Sequence, residues 1–232
     1  MAKASETFRV RVAGDLACFT RPEFKVERVS YEVMTPSAAR GVLEAVHWKP
    51  AIRWVVTGIR VLNPVRFLSF KRNEVAGRVS NRDAAAGQRG EGFAAYLTDE
   101  ARQQRNTVAL QGVDYVVEAH FVPAARWGLE DTMAKHAEMF RRRLDGGQTF
   151  HQPYLGCREF AARVGPAAGG EVSNLEATWR PRELGLMLHD LEFGAAIVPR
   201  FFRARIDETG FIAVPPFETA LVADGLARGV TA

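Results

Sequence analysis

Cysteine is scarce in this chain: Cys18 and Cys157 are the only two among 232 residues. That rules out a disulfide framework and a cysteine-based zinc site, and the expectation is two buried free thiols in a reducing cytoplasm. No apolar run approaches the ~18 residues that a bilayer-spanning helix needs, so no membrane span is predicted. The opening MAKASETFRV lacks the apolar core of a secretory signal, and export is not expected. Also missing are a Walker loop, GxGxxG, HExxH, GxSxG and any tightly spaced His/Asp/Glu set. Phosphate-cradling loops, zinc-peptidase helices and nucleophile elbows are thereby set aside, and no metal or cofactor is predicted. A two-metal DNA nuclease would need a carboxylate cluster, and none is seen.

What is present begins with an ordinary globular balance, 47% hydrophobic and 25% charged, enough for a buried core. The net charge of +4 is modest, but its placement is uneven. Residues 60–105 hold nine basic side chains (Arg60, Arg66, Lys71, Arg72, Arg78, Arg82, Arg89, Arg102, Arg105) against five acids. The rest of the chain is balanced at 22 of each sign, so this segment carries the whole excess. Phosphate binding needs such a concentration; a solvated basic loop would look the same.

Periodicity supplies the elements. Phe8, Val10 and Val12 alternate with Arg9 and Arg11, predicting a half-buried strand with a basic outer face. Thr35-Pro36 reads as N-cap and first helical residue. Ala38, Ala39, Val42, Leu43 and Val46 then form a helical apolar face, which Pro50 ends near His47. Residues 51–65 read as a strand kinked at Gly58, 66–106 as a basic hairpin with a long mobile tip over about 79–92, and 113–122 as a strong strand. Leu129, Met133, Ala137, Phe140 and Leu144 predict a second helix over about 129–144, stopped by Asp145-Gly146-Gly147. A further strand is expected over about 148–164. The order is that of an α+β, ferredoxin-like (RRM-like) βαββαβ domain over 1–165, with the hairpin inserted at about 66–106. Short apolar runs at 184–191, 201–206 and 210–214 predict a small antiparallel β-subdomain within 166–232.

Five histidines are available for chemistry, and two have a suggestive setting. His47, in AVHWKP, ends the first helix, where the partial negative charge of the helix terminus favours a protonated imidazole; it is equally a residue that only complements that dipole. His136 follows Lys135 in AKHAEMFRRR, which is also how a solvated basic helix face reads. His120, His151 and His189 show no functional pattern.

The run KVERVSYEVMTPSAARGVLEAVHWKP resembles the N-terminal signature of the fifth CRISPR-associated (Cas) protein family in its subtype I-C form, through Lys25, Tyr31, Val33, Pro36, Ala38, Gly41, Trp48, Lys49 and Pro50. PYLGCREFAARV (153–164), LGLMLHDLEF (184–193) and ETGFIAVPPF (208–217) extend the likeness over about the whole chain, whereas 79–106 does not align. The resemblance implies a ferredoxin-like domain followed by a small β-subdomain. It also implies an endoribonuclease that cuts CRISPR repeat RNA at each hairpin and keeps the 5′ handle of the guide RNA (crRNA) inside Cascade, beside its backbone and large subunits. The family's catalytic cluster falls on His47, Lys135 and His136, with tyrosine in the family pattern where this chain has His47.

RNA carries its own nucleophile, the 2′-hydroxyl, so two imidazoles and an ammonium suffice without a metal. The expectation is His47 and His136 as acid and base in either order, and Lys135 as electrostatic stabiliser. RNA contacts are expected from Arg9, Arg11, Lys49, Lys71, Arg72, Arg141, Arg142 and Arg143, with Trp48 available for stacking; Tyr31 reads as core. The alternative is a non-catalytic guide-RNA-binding subunit.

Overall fold

The computed structural model describes residues 4–24, 26–77, 79–91, 101–194 and 196–222. Lys25, Arg78 and the part of the hairpin tip at 92–100 lie outside them.

One long strand organises the large sheet. β5 (Arg102–Pro123) pairs antiparallel with β1 (Phe8–Ala17) on one side of its C-terminal half and with β3 (Ile52–Val61) on the other. β6 (Arg163–Pro166) extends the sheet beyond β1, and β9 (Phe211–Ala213) beyond β3. The resulting order is β6-β1-β5-β3-β9. The N-terminal half of β5 forms a hairpin with β4 (Phe67–Val75), and the two-residue β2 (Arg28–Val29) joins β5 in parallel.

The period-two pattern of β1 settles its orientation. Phe8, Val10 and Val12 are buried, while Arg9 and Arg11 face outward onto carboxylates. On the apolar face lie α1 (Pro36–Val46) and α3 (Met133–Asp145). Thr35 Oγ1 caps α1 by accepting the Ala38 N–H at 3.3 Å, and Thr132 Oγ1 caps α3 by accepting the Lys135 N–H at 3.1 Å. Each cap satisfies a backbone donor that the first helical turn leaves unpaired. Between α3 and the sheet, Phe8, Trp54, Phe121 and Phe140 form an aromatic cluster with Trp54 and Phe140 centroids 4.6 Å apart. Edge-to-face pairs of this kind add to the burial term.

A smaller sheet follows from β7 (Arg182–Phe193), β8 (Ile197–Ile206) and β10 (Leu221–Val222). It packs on α1 through a two-point Arg40–Asp190 pair at 2.6 and 2.9 Å and through Tyr31, whose hydroxyl accepts the Leu188 N–H at 3.2 Å. Tyr31 is buried, as expected for a core residue.

Four sequence expectations change. The helix over 129–144 starts only at Met133: Leu129 is fully exposed, and Thr132 takes the cap. The strand over 148–164 is short, because Pro153 and Gly156 break it into a loop closed by the Tyr154–Ala161 bridge, leaving only Arg163–Pro166 in the sheet. Part of the hairpin tip is helical, α2 (Asn81–Gln88), capped by Ser80 Oγ. The run at 210–214 contributes β9 to the large sheet, not to the small one. The kink at Gly58 is a register shift against β5, and the Phe211 ring lies where a side chain at 58 would stand, with a Cβ there only 2.0 Å from it. No helix among the described residues is long and apolar enough to cross a membrane.

Candidate active site

The end of α1 and the start of α3 meet beside β3. α1 stops at Val46, and His47 takes extended backbone as its C-cap, so its ring turns inward. Trp54 Nε1–H, from β3, donates to the His47 carbonyl at 2.9 Å and fixes that turn. Because α3 begins at Met133, Lys135 and His136 lie in its first turn. His136 faces in and Lys135 faces out.

His47 Nε2 lies 3.2 Å from His136 Nδ1, although the residues are 89 apart in sequence. His136 Nε2 lies 3.0 Å from Asp131 Oδ1. At the other end, Arg143 Nη1 donates to Val46 O at 3.0 Å and meets His47 Nδ1 at 3.4 Å. The four side chains thus form one line, Arg143–His47–His136–Asp131. Arginine only donates, so His47 Nδ1 accepts and the ring's single proton sits on Nε2, directed at His136. His136 Nδ1 then accepts, and its proton sits on Nε2, directed at the carboxylate.

Burial sets the charge state of His47. His47 has 0% exposure and His136 2%. Burial, followed by the Arg143, His136 and Lys49 charges, pushes the His47 imidazole down to about 4. The expected protonation by the helix terminus is therefore overruled, and Arg143 occupies a terminal carbonyl of α1 itself. Asp131 is held below the usual carboxylate range, first by the Gly128 N–H that donates to Oδ2 at 2.8 Å and then by His136.

On the outer side, Lys49, Pro50, Ala51, Arg126, Asp131, Lys135, His136 and Met139 line an open cleft of ≈ 440 Å³. Lys135 Nζ rests on Glu130 O at 3.2 Å. Trp48, the residue before the cleft-lining Lys49, is 53% exposed. Three cations and one imidazole edge thus surround a space large enough for a phosphodiester.

The other expected RNA contacts divide. Lys71 and Arg142 are exposed and make no ion pair among the described residues. Arg9 pairs with Glu118 and Glu171, Arg11 with Asp114, and Arg141 with Glu6. Arg72 turns in to Glu159 and Thr107, and Arg143 turns in to His47. Sequence reasoning missed Asp131 and Arg126. Asp131 stands directly before the α3 N-cap, a position that the displaced helix start concealed.

The family described as CRISPR-associated protein (Cas_Cas5), Cas5d, matches residues 7–220. A protein of Mannheimia succiniciproducens named CRISPR pre-crRNA endoribonuclease Cas5d is 46% identical over 90% of this chain and 95% of its own length. A protein of the same name from Thermus thermophilus is 42% identical over 89% and 90%. A crystal structure titled as a CRISPR-associated protein superposes with a TM-score of 0.69 at 23% identity, covering 95% of this chain and 97% of that one. A functionally uncharacterized protein of Streptococcus mutans superposes at 0.68 and 21%, covering 96% and 98%.

Proposed function

This chain belongs to the Cas5d family of CRISPR-associated proteins, and we propose from that membership and from the site that it is a metal-independent endoribonuclease acting on CRISPR repeat RNA. The observation that carries the reading is the pairing of an exposed Lys135 with an inward His136 on one cleft, His136 being backed by His47 at 3.2 Å.

The roles of the two imidazoles follow from burial. His47 has no exposed surface, so it acts on RNA through His136 and not directly. We assign it as a positioning residue that holds the His136 ring and its tautomer, as the third member of a nucleophile–base–orienter set does. His136 presents Nε2–H outward, where Asp131 now accepts it. In the cleavage step the 2′-hydroxyl proton passes to water as the 2′-oxygen attacks phosphorus, the bond to the 5′-oxygen breaks, and the departing oxygen, held by a hydrogen bond from His136 Nε2–H, takes its proton from water. The Lys135 ammonium lies against the non-bridging oxygens, whose charge grows in the phosphorane. The products are a 2′,3′-cyclic phosphate and a 5′-hydroxyl. Lys49 and Arg126 line the same cleft and suit the flanking phosphates, and the exposed Trp48, adjacent in sequence to Lys49, suits one unstacked base.

We read the strand order β6-β1-β5-β3 with two helices on one face as a ferredoxin-like, RRM-like domain, and the β7–β8–β10 sheet as its C-terminal subdomain. The subtype I-C assignment, retention of the 5′ handle and docking to the backbone and large subunits of Cascade belong to the same proposal. A second reading, a guide-RNA holder without cleavage, draws on the engagement of His136 Nε2 by Asp131.

The test is incubation of the purified chain with repeat RNA in excess EDTA, with analysis of both product ends. Site-specific cutting that leaves a cyclic phosphate, and is abolished by a 2′-deoxy substitution at the scissile nucleotide, supports the enzyme. Binding without cutting supports the holder, and cutting that survives the deoxy substitution refutes the 2′-hydroxyl mechanism.

A further inference from the structure

Away from this cleft, the two cysteines are brought together across 139 residues at the root of the β4–β5 hairpin. Cys18 directly follows β1, and Cys157 lies in the loop closed by the Tyr154–Ala161 bridge. Cys18 N–H donates to Leu155 O at 3.0 Å, and the Cys157 thiol sits 3.9 Å from the Cys18 carbonyl oxygen. The approach depends on Gly156: at φ +83° it places no side chain where a Cβ would stand 2.0 Å from that carbonyl. The Cys18 sulfur lies on the same side of the hairpin root, 3.5 Å from Thr20 Oγ1 and 4.0 Å from Val108 O.

Two cations converge on Cys157. Arg28 Nη1 donates to its sulfur at 3.4 Å. Arg72 is the second, and its buried Nη2 has no hydrogen-bond partner among the described residues. A guanidinium N–H buried without a partner is costly, and negative charge arising nearby would offset that cost. The interaction with Cys18, then the hydrogen bond and charge of Arg28, outweigh burial and pull the Cys157 thiol below its ordinary value, while the same interaction and burial push the Cys18 thiol up. An attacking thiolate next to a protonated thiol is the pairing from which disulfides form.

We propose that Cys157 is a peroxide-reactive nucleophile and Cys18 its resolving thiol, so that oxidation joins them as an intramolecular disulfide. The Cys157 sulfur attacks one oxygen of hydrogen peroxide, the O–O bond breaks, and hydroxide leaves to be protonated to water, giving a sulfenic acid on Cys157. The Cys18 sulfur then attacks Cys157 Sγ. The S–S bond forms, the S–O bond breaks, and the Cys18 proton leaves with the hydroxyl as a second water. Two thiols are oxidised and one peroxide is reduced. Cys157, 7% exposed, is the more accessible of the two, and Cys18 has 1%; a water-sized oxidant is the kind that reaches such a site. The proposal is independent of the ribonuclease reading.

The experiment exposes the native full chain to hydrogen peroxide at neutral pH, blocks residual thiols with N-ethylmaleimide, and maps peptides without reduction by mass spectrometry. The expected result is a Cys18–Cys157 linked pair in monomeric protein, both thiols disappearing one for one. Cys18→Ser should accumulate a dimedone-trapped sulfenic acid on Cys157, and Cys157→Ser should leave Cys18 unreacted. Two unmodified thiols, over-oxidation of Cys157 with Cys18 still free, or disulfides between chains would each overturn the proposal. The mapping of the wild-type chain decides the matter even if a serine variant fails to fold.

Discussion

Acid should weaken this fold through one buried imidazole. His47 is fully buried, and its ring is pushed from an ordinary 6.5 down to about 4. Between those values the unfolded chain binds a proton that the folded chain refuses, so stability falls as pH drops through the window and levels off below it. At about 1.4 kcal/mol per pH unit, the descent from 6.5 to 4 costs roughly 3 kcal/mol. That is a large part of the ~5–15 kcal/mol that holds a typical domain. Carboxylates lose stability over an overlapping range, so the measurement must isolate His47. His47→Gln does so, because the glutamine Nε2 can still donate to His136 Nδ1 and does not titrate. Urea unfolding of both proteins at half-unit steps from pH 7 to 4 gives the difference curve. With a slope of about 2–3 kcal/mol per molar urea, the wild-type midpoint should drop by about 1 M more than that of the variant. Parallel curves would show that His47 is not a buried neutral donor, and the tautomer assigned to His136 would go with it.

Other outcomes follow from the same geometry. Lys135→Ala should slow RNA cleavage by about 100- to 1,000-fold while changing the dissociation constant little; equal loss in both would make Lys135 a binding residue only. Trp48→Ala should weaken RNA binding by about 1–3 kcal/mol, read by fluorescence anisotropy, and leave single-turnover cleavage of the saturated complex unchanged. Lys71→Ala and Arg142→Ala should each lower the slope of log affinity against log salt by about one; an unaltered slope removes that residue from the phosphate path. Tyr31→Phe leaves the Leu188 N–H without its acceptor and should cost ~1 kcal/mol of stability, read as a lower denaturant midpoint with no change in slope.

Local signals were the legible ones. Thr35-Pro36 and the apolar spacing after it located α1, and alternation located β1, because both are decided within a few residues. α2 also carried a local signal, Ser80 with Asp83 three residues on, masked by a Gly-rich setting. Leu129 misled because it fits the helical spacing of α3, whereas the capping hydroxyl of Thr132 determines where the turns begin. The pairing of 211–213 with β3 was illegible for a different reason: a three-residue strand has no pattern of its own, and its partner lies about 150 residues earlier. Family likeness singled out His47, Lys135 and His136 as a candidate cluster, and the fold brings them close together. The wiring of the site was not legible, since the 3.2 Å approach of His47 to His136 and the inward turn of Arg143 depend on how α1 and α3 cross the sheet.

The late return of β9 to the flank of β3 has a consequence for how this protein is made. During synthesis, the outer edge of β3 at 58–60 has no mate until residues 211–213 leave the ribosome. Until then the groove at Gly58, which Phe211 fills in the finished fold, stands open beside unpaired backbone. A nascent chain stalled between β8 and β9 would therefore carry an open strand edge that the finished protein does not.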